Sequence, residues 1–211
     1  MRTTKTILLH DSGRPLRFAV RLMPALHMEA WLERAAELQP DHPGATPAHP
    51  AALAAHLLRR GPFALACAGG EPAAALLDEM LSCCSYIDPE SNTEIPCSRE
   101  FIGGLISDLR TLLALRRAVL RENLSFAREG IRKPLPLPKE AAYRRASGER
   151  TAARTVNVPQ VSAILISQGV ASLNDLRGGY TFADALDLLE VVNVRNYNQW
   201  AANEAARSRR R

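Results

Sequence analysis

The chain has 211 residues, 46% of them hydrophobic but only 5% aromatic, with 27 Lys+Arg against 22 Asp+Glu. Such a length suits a main body with a small appendage. Residues 1–130 hold 14 basic and 15 acidic side chains, residues 131–155 hold 7 and 2, and residues 156–211 hold 6 and 5; with the surplus gathered in the middle, the chain is not a globally basic nucleic-acid binder.

In chain order, the run TKTILLHDSGRPLRFAVRL predicts a β-hairpin turning at Asp11 to Arg14, because Asp bonds nearby backbone and Gly accepts positive φ. Leu16, Phe18, Val20 and Leu22 alternate with Arg17 and Arg21, which turns one apolar face inward. Pro24 opens a helix running to about Leu38, with Leu26, Trp31, Leu32, Ala35 and Leu38 near one stripe and Glu29, Glu33, Arg34 and Glu37 mostly off it. The segment QPDHPGATPAHP reads as a loop, 51–60 as an alanine-rich helix, and 73–85 as a helix with Leu76, Leu77, Met80, Leu81 and Cys84 inward.

From Ser98, a suitable cap, apolar residues recur at helical spacing (Phe101, Ile102, Leu105, Ile106, Leu109, Leu112, Leu113, Leu120, Leu124), predicting one long helix ending near Gly130. Gly103 and Gly104 cost about 1 kcal/mol each relative to Ala inside it and mark a tight packing contact or a kink. Residues 131–155, with alternating prolines and many arginines, read as a linker. The last part, 156–211, begins with a short apolar helix, QVSAILIS, ended by Gly169. A turn capped by Ser172 follows, and a capping box of Thr181 and Asp184 opens FADALDLLEVVNV. Leu186, Leu189, Val192, Tyr197 and Trp200 would complete a core of three or four helices, and the arginines from Arg207 onward form a frayed tail. The predicted class is mainly α: a helical body with an N-terminal hairpin (1–130), a basic linker (131–155) and a small helical module (156–211).

No apolar run approaches the roughly 20 residues of a membrane span, and MRTTKTILLHDSG lacks the apolar core of a signal peptide, so a soluble, intracellular protein is expected. Cys67, Cys83, Cys84 and Cys97 fit reduced thiols, since adjacent cysteines such as Cys83 and Cys84 rarely bond to each other.

Candidate chemistry is sparse. His42, His49 and His56, with Cys67 beyond, are spaced by an Ala/Pro-rich stretch that lacks the close ligand pairs of zinc sites, so no metal and no cofactor is expected. There is no phosphate loop, nucleophile elbow or His-Glu helical pair, and Asp184, Asp187 and Glu190 read as a solvated acidic face. VSAILISQGVASLNDLRGG has the outline of a helix-turn-helix, which keeps a small nucleic-acid-binding regulator as the alternative function. Its candidate recognition helix offers Asn174, Asp175 and only Arg177, so nucleic acid is not the expected partner.

With LISDLRTLLALRRAVLRENLSFAREG closing the body and GVASLNDLRGGYTFADALDLLEVVNVRNYNQW in the terminal module, the organisation resembles the tail assembly chaperones of long-tailed bacteriophages, especially Mu-like and related phages. The resemblance implies a non-enzymatic protein of the host cell cytoplasm, absent from the finished virion. Such a protein coats the aggregation-prone tape measure protein and brings tail tube subunits to it. It further implies the longer form of two frameshift products, with an ordinary single product as the alternative, and self-association is possible. The body would bind tape measure and the terminal module would recruit the tube protein. The expected partner-binding residues are Leu105, Leu109, Leu112 and Leu115 in the body, and Tyr180, Phe182, Tyr197 and Trp200 in the module. Leu115 and Leu120 also have a plainer reading, as a seal between the body and its own hairpin.

Overall fold

A computed structural model describes residues 4–39, 50–67, 69–128, 155 and 157–209. The chain is mainly helical, with an antiparallel hairpin at its start that forms half of a four-stranded sheet in the order β1-β2-β3-β4. Strands β1 (Thr4–Asp11) and β2 (Arg14–Arg21) pair in a register that sets Asp11 opposite Arg14. The two residues between them, Ser12 and Gly13, have φ of 50° and 87°, the doubly positive geometry that matches the twist of a hairpin. Leu16, Phe18 and Val20 point into the core, as their alternation predicts.

Helix α1 (Ala25–Glu37) follows Pro24, and its Trp31 is fully buried with the indole N–H donating to the Leu76 carbonyl at 3.0 Å. Glu29 departs from the predicted pattern: it lies on the buried side, 4% exposed. Helices α2 (Pro50–Arg60), α3 (Phe63–Ala66) and α4 (Gly70–Leu81) come next. The helix predicted to reach Ser85 stops at Leu81, and Cys84 belongs to strand β3 (Cys84–Ile87), which pairs with β2 from Val20 opposite Cys84 to Arg17 opposite Ile87. The open edge of β2 supplies backbone partners that outweigh the local helical pattern. A turn through Asn92, at φ 54°, returns the chain as β4 (Glu94–Pro96). Buried Cys84 and Cys97 then face each other with their sulfurs 3.7 Å apart.

The long helix expected from Ser98 is two. Ser98 caps α5 (Arg99–Leu105), its Oγ accepting from the Phe101 N–H, but Ile106 is extended and α6 (Leu109–Asn123) starts anew behind Asp108. The break is made from afar: Asp11, at the end of β1, accepts hydrogen bonds from the Ser107 N–H (3.0 Å), the Ser107 hydroxyl (2.8 Å) and the Asp108 N–H (2.9 Å). Backbone donors held by that carboxylate are not available to a continuous helical ladder. Space around Gly103 and Gly104 is open, with no atom within 4 Å of an added Cβ, so they weaken the last turn of α5 rather than permit a close contact. After α6 comes a single 3-10 turn, Ser125–Ala127; the predicted end at Gly130 and the linker 131–155, except Thr155, lie outside the described residues.

The terminal part contains α7 (Gln160–Ser167), a π-type turn (Asp175–Gly179) and α8 (Phe182–Ser208). The predicted capping box is present, Thr181 Oγ1 accepting from the Asp184 N–H while the Asp184 carboxylate accepts from the Thr181 N–H. Helix α8 is longer than expected, 27 residues or about 40 Å. Arg207 is thus helical rather than frayed, and it pairs with Glu204 at 2.9 Å. Both helices pack on α1, and Phe182 meets Phe126 edge to face with ring centroids 5.1 Å apart.

Hydrogen bonds from the Ser107 and Asp108 backbone hold the Asp11 carboxyl below its ordinary value, so the folded state binds that proton less tightly than the unfolded chain does. Its contribution is present above the ordinary aspartate range and is lost as pH falls through the lowered value. Urea unfolding of Asp11→Asn across that acid range is therefore expected to show a flatter pH dependence than the wild type, with lower stability at neutral pH.

Candidate functional site

The terminal helices are positioned by Glu29. Its carboxylate accepts from the Val161 N–H at 2.5 Å, the Ser162 N–H at 3.0 Å and the Ser162 hydroxyl at 2.7 Å. These donors form the first turn of α7, which has no side-chain cap of its own because Pro159 stands at the capping position. A second tie lies beside it: the Ala25 N–H donates to the Tyr180 carbonyl at 2.8 Å, next to a bridge between Pro24 and Thr181. The outward face of α8 is fixed by these contacts.

The predicted partner-binding residues divide into four groups. Leu115 and Phe182 are buried in the chain's own core. Leu105, Leu112 and Tyr180 are half-buried and pack against that core, and the Leu105 carbonyl accepts a hydrogen bond from Arg14. Leu109 is 67% exposed at the corner where α5 gives way to α6. Tyr197 and Trp200 are half-buried and in contact with each other, ring centroids 5.7 Å apart. The buried residues of α8 are Phe182, Ala185 and Val192, so the core expected to reach Trp200 is filled by its first three turns.

Two further surfaces have no counterpart among the predicted residues. Between α2, α6 and the 3-10 turn lies a cavity of about 410 Å³ with Leu58, Leu120, Ala55 and Ala127 among its lining and Arg59, Arg117, Arg121 and Arg128 around it. Arg128 is paired with Glu122 at 3.7 Å; Arg59, Arg117 and Arg121 make no ion pair among the described residues. Arg110, Arg117 and Arg121 are all exposed and recur at i, i+7 and i+11, so one side of α6 is a basic stripe. On the outer side of α8, Asp187, Glu190, Val191, Val194, Arg195 and Asn198 line a shallow groove in which Val191 is 62% exposed. The spacing that identifies both faces is visible in the sequence; the exposure of Arg117, Arg121 and Val191 on them is a tertiary fact.

No cluster of three or more metal-ligating side chains occurs among the described residues, and His42 and His49 lie outside them. No helix among the described residues is long and apolar enough to cross a membrane. The turn Asp175–Gly179, in the place of the candidate recognition helix, is five residues long and buries Leu176. No protein-family model, curated protein or solved structure matches this chain.

Burial pushes the Glu29 carboxyl above its ordinary value, aided by the charge of Glu33 and opposed by the hydrogen bonds from Ser162 and Val161. With the folded value raised, the contribution is fully present below the ordinary glutamate value and is lost as pH rises through the raised one. Glu29→Gln removes this titration, so its stability is expected to vary less across that window. Glu29→Ala leaves three donors without an acceptor and is expected to cost about 2–4 kcal/mol in denaturant unfolding.

Proposed function

We propose that this chain is a non-enzymatic tail assembly chaperone of a long-tailed phage, acting in the host cytoplasm, where it binds the tape measure protein and recruits tail tube subunits. The observation that carries the reading is uncovered apolar surface at the α5–α6 corner, where Leu109 stands exposed beside half-buried Leu105 and Leu112. Apolar side chains left open on a rigid helical frame suit the apolar stripe of a partner helix. The arginine stripe on the adjoining side of α6 would hold acidic residues flanking such a stripe. Tyr197 and Trp200 lie on the part of α8 beyond its buried residues and, in this reading, would meet a second partner while the first is held. Leu115 and Phe182 serve the fold in this reading.

The test uses the full chain, because the packing of α7 and α8 on α1 makes a truncated body a different object. Co-expressed with the tape measure and tail tube proteins of the same genome, the wild type is expected to keep the first soluble and to retain the second. Leu109→Asp is expected to weaken tape measure retention about tenfold or more with little change in thermal stability. Tyr197→Ala combined with Trp200→Ala is expected to weaken tube retention alone. Failure to retain either protein, with retention of DNA that survives moderate salt, would favour the nucleic-acid-binding alternative.

A further inference from the structure

We propose that Cys84 and Cys97 form a redox clasp, which a peroxide closes into a disulfide that fastens the outer strand β4 and the start of α5 to β3. The placement follows from the register. Ser85 lies opposite Pro96 and Tyr86 opposite Ile95; one step further Cys84 meets Cys97, whose N–H donates to the Cys84 carbonyl at 3.0 Å. Residues facing each other across antiparallel strands have Cα atoms about 4.5–5.5 Å apart, inside the roughly 4.4–6.8 Å that a disulfide spans. The two sulfurs stand 3.7 Å apart. Rotation about the two Cα–Cβ bonds is enough to bring them to the bonded distance of about 2.05 Å.

Cys84 and Cys97 are 1% and 4% exposed, and a thiol buried only for packing is a small, inert hydrophobe. Two features set this pair apart. The hydrogen bond the thiols share, joined by one from the Tyr86 backbone, holds Cys97 below the ordinary thiol value against the opposing effect of burial. The same shared bond, together with burial, pushes Cys84 well above it. Cys97 is therefore the sulfur that gives a thiolate, with a protonated thiol beside it. Cys97 also follows the outer strand of the sheet directly, between exposed Pro96 and Ser98. A local opening of that edge admits a small oxidant.

The chemistry balances with one peroxide. The Cys97 thiolate attacks a peroxide oxygen and the O–O bond breaks; the sulfur keeps one oxygen as a sulfenic acid, and the other leaves as water with the thiol proton. The Cys84 sulfur then attacks the sulfenyl sulfur, forming the S–S bond and displacing the hydroxyl, which leaves as water with the Cys84 proton. Two thiols lose two electrons and hydrogen peroxide becomes two waters. Strand β4 is three residues long, and Cys97 is followed at once by Ser98, the cap of α5. The closed bond holds both where the reduced chain relies on a short ladder.

The experiment needs this chain alone, so its outcome is separate from whether tape measure or tube protein binds. The reduced full chain is treated with hydrogen peroxide, quenched, and unfolded in the presence of an alkylating reagent. Cys84 and Cys97 are expected to be lost to alkylation together. Cleavage after Glu90 or Glu94, both exposed and both inside the closed loop, is expected to leave two peptides joined through Cys84 and Cys97 until a reductant parts them. The oxidised chain is expected to unfold about 5–10 °C higher than the reduced one, with slower hydrogen exchange over residues 94–102. Both changes should reverse with reductant, so the comparison stands within the wild type. In Cys84→Ala and in Cys97→Ala the peroxide is expected to produce neither. Oxidation of exposed Cys67 with Cys84 and Cys97 both still open to alkylation overturns the proposal. So does a bridge made through Cys83, or a Cys84–Cys97 bridge that leaves the unfolding temperature and the exchange unchanged.

Discussion

A carboxylate buried between two helices is the contact on which the arrangement of this protein turns. Glu29 sits on α1 at 4% exposure, where an ionised group without hydrogen bonds would be strongly disfavoured. Three donors from Val161 and Ser162 surround it, and those donors begin a helix that has no cap of its own. Each side thus satisfies a polar group the other would leave unpaired. With α7 held there, the Tyr180 carbonyl reaches Ala25, Phe182 reaches Phe126, and α8 leaves the body with its acidic and apolar face outward.

Asp11 uses the same chemistry between the first hairpin and the α5–α6 corner. From the tip of the first hairpin it accepts from Ser107 and Asp108, just ahead of the helix that Asp108 itself caps, and in doing so interrupts a run of leucines that would otherwise extend as one helix. The interruption shapes the surface. Where α5 stops and α6 begins, Leu109 is left uncovered, and the new direction of α6 lays Arg117 and Arg121 along the cavity beside α2. Two long-range carboxylates, Asp11 and Glu29, therefore set the positions of the α5–α6 corner and of α8.

What could be read from the sequence follows from the range of the interactions concerned. The hairpin, the cap at Ser98 and the capping box of Thr181 and Asp184 were legible because donor and acceptor lie within three residues of each other or across a two-residue turn. Strand β3 was not, since Cys84 to Ile87 takes its conformation from β2, more than sixty residues earlier. Glu29 looked like a surface residue because its partners lie over a hundred residues away; an apolar helix opening at Pro159 without a capping side chain was the available signal that a distant acceptor existed. Among the candidate site residues, Leu109 stands exposed while Leu115 does not, a distinction that helical spacing cannot make when leucine occupies more than one stripe. The arginines of α6 were visible as charges, but only the fold places Arg59 and Arg128 beside them.

The central claim is that the two ends of the chain share a core held together through Glu29. Native-state hydrogen exchange on the full chain addresses it directly, by comparing the amides of α1 with those of α7 and the first turns of α8. A single cooperative unit predicts the same opening free energy in all three, falling together in Glu29→Ala. Opening of α7 and α8 at much lower free energy than α1, unchanged by that substitution, would contradict the account.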